Sequence, residues 1–187
     1  MIAKVIKSLI TFWKAKSNRL KIGGGNYINM NVKFVNRGTI ILGNDVTVRP
    51  STCVYANNGR SIVSFGNHTE IGNHSTISSH VEVVLEDGVL TGPHVFISDH
   101  NHEYRNPDIP VYKQGVMSAG GSKVVIGEGS WLGTNVVVVG NVRVGKHCVI
   151  GANSVVTKDI PDYSVAAGIP CKVIKQYDFG KNEWVKV

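Results

Sequence analysis

Hydrophobic positions along the chain follow two different periods. Over residues 1–17 the apolar side chains Ile2, Val5, Ile6, Leu9, Ile10 and Trp13 recur every three or four residues, with lysines between them. That spacing predicts an amphipathic helix. From residue 126 the interval is six: IGEGSW, LGTNVV, VVGNVR, VGKHCV, IGANSV, VTKDIP. Ile126, Leu132, Val138, Val144, Ile150 and Val156 open the units, and Gly follows at 127, 133, 145 and 151. The fifth position is small or aliphatic: Ser130, Val136, Val142, Cys148, Ser154 and Ile160.

A period of six suits a three-sided prism. Each short strand sends one large side chain inward, the small residue after it turns the corner, and three units close a coil of 18. Coils then stack at the inter-strand distance of about 4.8 Å. The pattern sets Ile126 against Val144, Leu132 against Ile150 and Val138 against Val156. The next residue of the first series is Asp162, so the regular prism is expected to end near there. Upstream the interval of six recurs in four frames: Ile22, Ile28, Phe34 and Ile40; Leu42, Val48 and Val54; Phe65, Ile71 and Ile77; Leu85, Thr91 and Ile97. Residues 103–122, EYRNPDIPVYKQGVMSAGGS, break it with two Pro and several Gly. They read as a loop leaving the prism, and a long loop in a regular solenoid is more often functional than decorative. The organisation is therefore a helix over 1–21, a repeat domain over 22–175 and a tail over 176–187.

Composition agrees with strands and tight turns. Val and Ile together number 46 against six Leu, and Gly numbers 21 of 187. A helical bundle would favour Leu and avoid Gly. The net charge of +7 is concentrated at the ends. Residues 1–21 hold six basic side chains and no acid, 172–187 hold four Lys against Asp178 and Glu183, and 22–171 hold ten basic and eleven acidic residues. No basic stripe crosses the domain, so a nucleic-acid partner is not expected. Cys53, Cys148 and Cys171 form neither a disulfide framework nor a metal motif, and free thiols suit a reducing compartment. No apolar run is long enough to span a membrane. Lys7 interrupts the first apolar stretch and no small-residue cleavage site follows, unlike a secretory signal. The helix over 1–17 either packs on the domain or a neighbouring subunit, or makes a peripheral contact with the inner face of the membrane.

Seven histidines are the main candidates for chemistry. His68, His74 and His80 lie six apart, so they point from three different faces and cannot share one ion within a chain. They read as outer-surface residues, as do His94, His100 and His147 at the same position in their units. His102 differs: it ends the unit ISDHNH where the chain enters the loop, beside a flexible cover. A His there can be reached by a substrate and suits a general base near neutral pH; His100, or neither of the two, is the alternative. Asp99 or Glu103 can orient the imidazole. Trp131, in GSWLG, falls outside the inward positions and is expected to face outward.

The segment WLGTNVVVVGNVRVGKHCVIGANSVVTKDIPDYSVAAGIPCKVIK resembles the end of the galactoside and maltose O-acetyltransferases and of the sugar acetyltransferases of surface-polysaccharide pathways. VVTKDIP and AAGIPCKVIK are its most specific parts, and the repeat extends the resemblance over about 22–175. The resemblance implies an all-β fold, a left-handed parallel β-helix built as a hexapeptide-repeat solenoid. It implies acetyl-coenzyme A as co-substrate without a metal, a cytoplasmic homotrimer with sites between chains, and a free, nucleotide-linked or lipid-linked sugar accepting on oxygen or nitrogen. His102 takes the place of the general base in that family, and Trp131 stands by the thioester. Thr134, Ala152, Thr157 and Lys158 line the coenzyme A groove, and Lys172 and Lys175 meet its phosphates. Two other functions suit the scaffold. One is a metalloenzyme like the γ-class carbonic anhydrases, whose close His pair is five residues apart, a spacing absent here. The other is a non-catalytic β-helix.

Overall fold

The computed structural model describes residues 2–117 and 121–187. Residue 1 of the expected helix, residues 118–120 of the expected loop, and the side chains of residues 2–5 and 7, where Ile2, Lys4, Val5 and Lys7 of the helical pattern fall, lie outside that description.

Three parallel sheets wind around one aliphatic core. The first begins with Lys21–Ile22 and runs through Thr39–Leu42, Ile62–Phe65, Glu82–Leu85 and Lys123–Ile126 to Val142–Val144. The second runs from Tyr27–Ile28 to Ser164–Ala167, and the third from Lys33–Asn36 to Val155–Val156. Downstream of the loop the register is the one the period of six predicts: Ile126 pairs with Val144, Leu132 with Ile150 and Val138 with Val156. Corners there are tight. A Cβ on Gly127 would lie 2.5 Å from the Gly145 carbonyl, so only glycine lets the two coils approach.

Upstream coils are longer, which explains the slipping frames. Ile22 pairs with Leu42, and Phe65 with Leu85, each two positions beyond the partner that three units of six would supply. Leu42 pairs with Phe65, five positions beyond it. Ile40 therefore does not begin a coil: it is a second inward residue of the strand that Leu42 ends. The extra length sits at the corner between the third and first sheets. Strands Lys33–Asn36, Cys53–Ala56 and Thr76–Ser79 each continue past their first inward residue to a further inward position, held by Asn36, Ala56 and Ser79.

The C-terminal end also departs from the sequence expectation. Val144 bridges to Ile160 rather than Asp162, so the last coil is two residues short and still places Ala166 against Ile150. Lys172–Asp178, which spans the end of the expected repeat domain and the start of the expected tail, and Glu183–Lys186 form antiparallel strands added to the second sheet.

The first helix, α1 (Ile2–Ser17), lies across the open edge of the first coil. Among its described side chains, Thr11 and Ala15 are buried. Ile28 N–H donates to Thr11 Oγ1 at 3.0 Å, and Lys14 Nζ donates to the Val32 carbonyl at 2.8 Å. Thr11 and Ala15 make the buried contact with the prism, while Ile6, Leu9 and Trp13 of the apolar stripe stay exposed.

Candidate active site

The histidines separate by backbone conformation. His68, His74, His94 and His147 adopt positive φ at exposed corners, alongside Asp45, Asn135 and Asn153. His and Asx residues tolerate that left-handed region better than most, so turn geometry accounts for them. His80 and His100 belong to the third-to-first corner of the long coils and are half-buried.

That corner builds two vertical columns. The pairings Asn36–Ala56, Ala56–Ser79 and Ser78–Ser98 place Asn36, Ala56, Ser79 and Asp99 in line inside the prism. One residue further on, Arg37, Asn57, His80 and His100 stand in line at the rim. The His80 and His100 rings lie 4.9 Å apart.

Asp99 is a buried carboxylate with a full set of donors. The Ser79 hydroxyl and the His80 and Val81 N–H groups donate to it at 2.8–2.9 Å, and His100 Nδ1 lies 2.9 Å from Oδ1. Burial alone would push the carboxyl up, but these bonds, His100's foremost, outweigh it and hold Asp99 below the ordinary carboxylate range. An ionised carboxylate only accepts, so His100 carries its proton on Nδ1 and leaves Nε2 as an acceptor. His80 is pushed down by burial and by the neighbouring His100, partly offset by Asp99. Its Nδ1 is buried with no hydrogen-bond partner among the described residues.

A groove of about 440 Å³ runs down this corner. His100 and His102 stand at one end, Val116 of the loop covers them, and Tyr55, Asn57 and Arg37 lie towards the first coil. No carboxylate lines it. His102 is exposed on a short antiparallel pair with Val116, and no side chain orients its ring among the described residues. Glu103, the other candidate orienter, is held by Arg105. Arg105 Nε donates to it at 2.8 Å, and these bonds lower its carboxyl to about 2.

A family model, bacterial transferase hexapeptide (six repeats), matches residues 123–158. Over 135 residues the chain is 36% identical to the putative lipopolysaccharide biosynthesis O-acetyl transferase WbbJ of Escherichia coli (strain K12), covering 68% of this chain and 67% of that one. The chain belongs to the hexapeptide-repeat acyltransferase family. A second relative, the galactoside O-acetyltransferase of Lactococcus lactis, is 39% identical over 135 residues, 68% of this chain and 63% of its own length. The chain thus spans about two thirds of the length of these relatives. Among solved structures, a variant of AntD, an N-acyltransferase from Bacillus cereus in complex with dTDP-4-amino-4,6-dideoxyglucose and coenzyme A, superposes with a TM-score of 0.75 at 19% identity, over 87% of both chains. That likeness carries the fold, the left-handed parallel β-helix.

In this hexapeptide-repeat acyltransferase the residues expected at coenzyme A do not gather in one place within a chain. Thr134 and Ala152 follow corner glycines between the second and third sheets, and a Cβ on Gly133 would meet Ala152 N at 2.8 Å. Thr157 and Lys158 are exposed beyond the last strand of the third sheet, and Lys172 and Lys175 are exposed on the added antiparallel strand. The three lysines have no carboxylate partner among the described residues. Trp131 stands on the second sheet between Leu90 and Val149, 49% exposed, on a different face from the imidazoles. Among the described residues no three His, Cys, Asp or Glu side chains come together as metal ligands.

Sequence reasoning passed over His80, Tyr55, Asn57 and Arg37, and gave His100 second place. The missed signal is a spacing of 20: His80 to His100 and Arg37 to Asn57 are each one long coil apart.

Proposed function

We propose that the chain transfers an acetyl group from acetyl-coenzyme A to a hydroxyl or amine of a sugar, in the cytoplasm and in a surface-polysaccharide pathway. The observation that carries this is the Asp99–His100 pair, whose free Nε2 faces a groove beside the loop. His100 Nε2 takes the acceptor proton as the acceptor attacks the thioester, and Asp99 fixes the tautomer and balances the imidazolium that forms. Backbone N–H groups at the coil edge meet the developing oxyanion. We assign the base to His100 rather than His102 because only His100 has a carboxylate partner; His102 becomes a wall of the acceptor groove.

Coenzyme A supplies the activated acyl group. The bare corner at Gly133 suits a thin pantetheine arm against Thr134, Ala152 and Thr157. Unpaired Lys158, Lys172 and Lys175 suit its phosphates. The split between the imidazole and Trp131 favours a homotrimer, in which one chain's indole faces the next chain's His100. Exposed Leu90 and Trp131 supply apolar surface for that contact. Arg37 lies three coil spacings from His100, about 14 Å. It would grip an anionic group, as on the phosphate of a nucleotide- or lipid-linked sugar. AntD is named in complex with a nucleotide-linked sugar, and the Escherichia coli relative is named for lipopolysaccharide biosynthesis.

The test is thiol release from acetyl-coenzyme A across a panel of free, nucleotide-linked and lipid-linked sugars. Turnover with at least one acceptor, lost in His100→Ala and largely kept in His102→Ala, is expected. The reverse order would return the base to His102.

A further inference from the structure

We propose that the helical end of the prism docks on an anionic lipid surface. Residues 1–44 contain eight basic side chains, and the first acidic residue of the chain is Asp45. Residues 45–187 hold twelve basic and thirteen acidic side chains. The excess of positive charge therefore lies in α1 and the first coil, the remainder of the chain being close to neutral in sum. Lys14 is engaged by the Val32 carbonyl, but Lys16, Arg19, Lys21 and Lys33 are exposed and pair with no carboxylate among the described residues.

The same end carries unpartnered apolar surface. Ile6, Leu9, Phe12 and Trp13 are 50–64% exposed on α1, and Met30 beside them is 62% exposed. An open groove of about 540 Å³ lies between the helix stripe and Met30. An amphipathic helix on a domain ordinarily turns its apolar stripe to the core. Here, among the described residues of α1, Thr11 and Ala15 take that contact. A Trp-bearing apolar stripe flanked by lysines, with no acid nearby, is the chemistry of a helix lying among headgroups. A second copy of the chain is the other occupant for such a stripe. Joining two of these ends would set eight basic residues against eight, whereas anionic headgroups neutralise them. No helix of the described residues is long and apolar enough to cross a membrane, so the contact is peripheral. Docking is a property of α1 and the first coil alone and stands apart from the transferase reading.

The test is co-sedimentation of the full chain with phosphatidylcholine vesicles, with and without phosphatidylglycerol. Binding is expected to be more than tenfold tighter to the anionic vesicles and to weaken with salt. Each reversed charge should cost about fivefold or more in partition. Lys16→Glu with Lys33→Glu should therefore nearly abolish binding, as should Trp13→Glu. All three positions are exposed, and an unchanged melting temperature checks that the variants fold. Equal binding to both vesicle types, no binding at low salt, or variants that bind like the parent would each overturn the proposal. So would a Trp13→Glu variant that loses oligomeric mass in light scattering while the parent ignores vesicles, since the stripe would then belong to a second copy.

Discussion

Coils before the loop and coils after it share the same inward alternation but differ in length. After the loop, three units of six close the coil from Ile126 to Val144, and the third-to-first corner turns at Gly140 directly after Val139. Before it, coils longer by two or five positions carry an added inward position at that corner. The added position lets a carboxylate, Asp99, sit inside the prism and hold His100 at the rim. The short coils supply the most recognisable sequence; the long ones supply the polar columns. Periodicity builds the scaffold, and a two-residue departure from it builds the site.

The largest expected effect removes the end of the rim column. His100→Ala should lower turnover by roughly 10²–10⁴-fold while calorimetric titration shows unchanged coenzyme A affinity. His102→Ala should lose far less. Parallel losses in both variants would mean that the two imidazoles work as one unit.

Asp99→Asn attacks the inner column. It should cost on the order of 3 kcal/mol of stability, because the His80 and Val81 N–H groups and the Ser79 hydroxyl lose a charged acceptor in a buried place. A loss of up to roughly 10⁴-fold in turnover should follow, because Asn holds the imidazole in the wrong tautomer. The pH dependence has a definite sign. Asp99 titrates lower in the fold than its ordinary value near 3.9. Its contribution is therefore complete above that value and is lost as pH falls through the lowered one. Thermal melts of the parent between pH 6 and pH 3 should show this acid-side loss, and the Asn variant should show a shallower one.

Among the short coils Gly127→Ala is the matching disruption. The added methyl meets the Gly145 backbone, so about 2 kcal/mol should be lost. The melting temperature should drop by about 4–8 °C, with the specific activity of the folded fraction intact. A selective loss of activity would contradict the separation of scaffold from site. The smallest effect is at Arg37→Ala. It should raise KM for a phosphate-bearing acceptor by about tenfold, as expected for one charge-assisted contact, and leave KM for a free sugar nearly unchanged.

Much of the scaffold was legible in the sequence. The interval of six set the pairing of Ile126 with Val144, and the three- and four-residue interval located α1. The loop was legible from its Pro and Gly. The long coils were not, because two added residues conserve the alternation and shift only the frame. Ile40 and Leu42 are both inward, and sequence alone does not show which one stands over Ile22. For the same reason His80 and His100 looked like the turn histidines. Only the stacking separates a left-handed corner such as His74 from a rim such as His100. The orientation of α1 was hidden for a different reason. Periodicity locates a helix's apolar stripe, but here the open edge of the coil, with its Ile28 N–H and Val32 carbonyl free of any earlier coil, selected Thr11 and Lys14 instead.

That edge bears on how the molecule stays separate from its neighbours. A stack of parallel coils ends in a row of unpaired backbone groups, a template on which another chain can add. Thr11 and Lys14 occupy part of that row with side chains, so α1 acts as a terminal lid on a structure that could otherwise grow end to end. Loss of the helix would be expected to turn a discrete particle into one that seeds fibres.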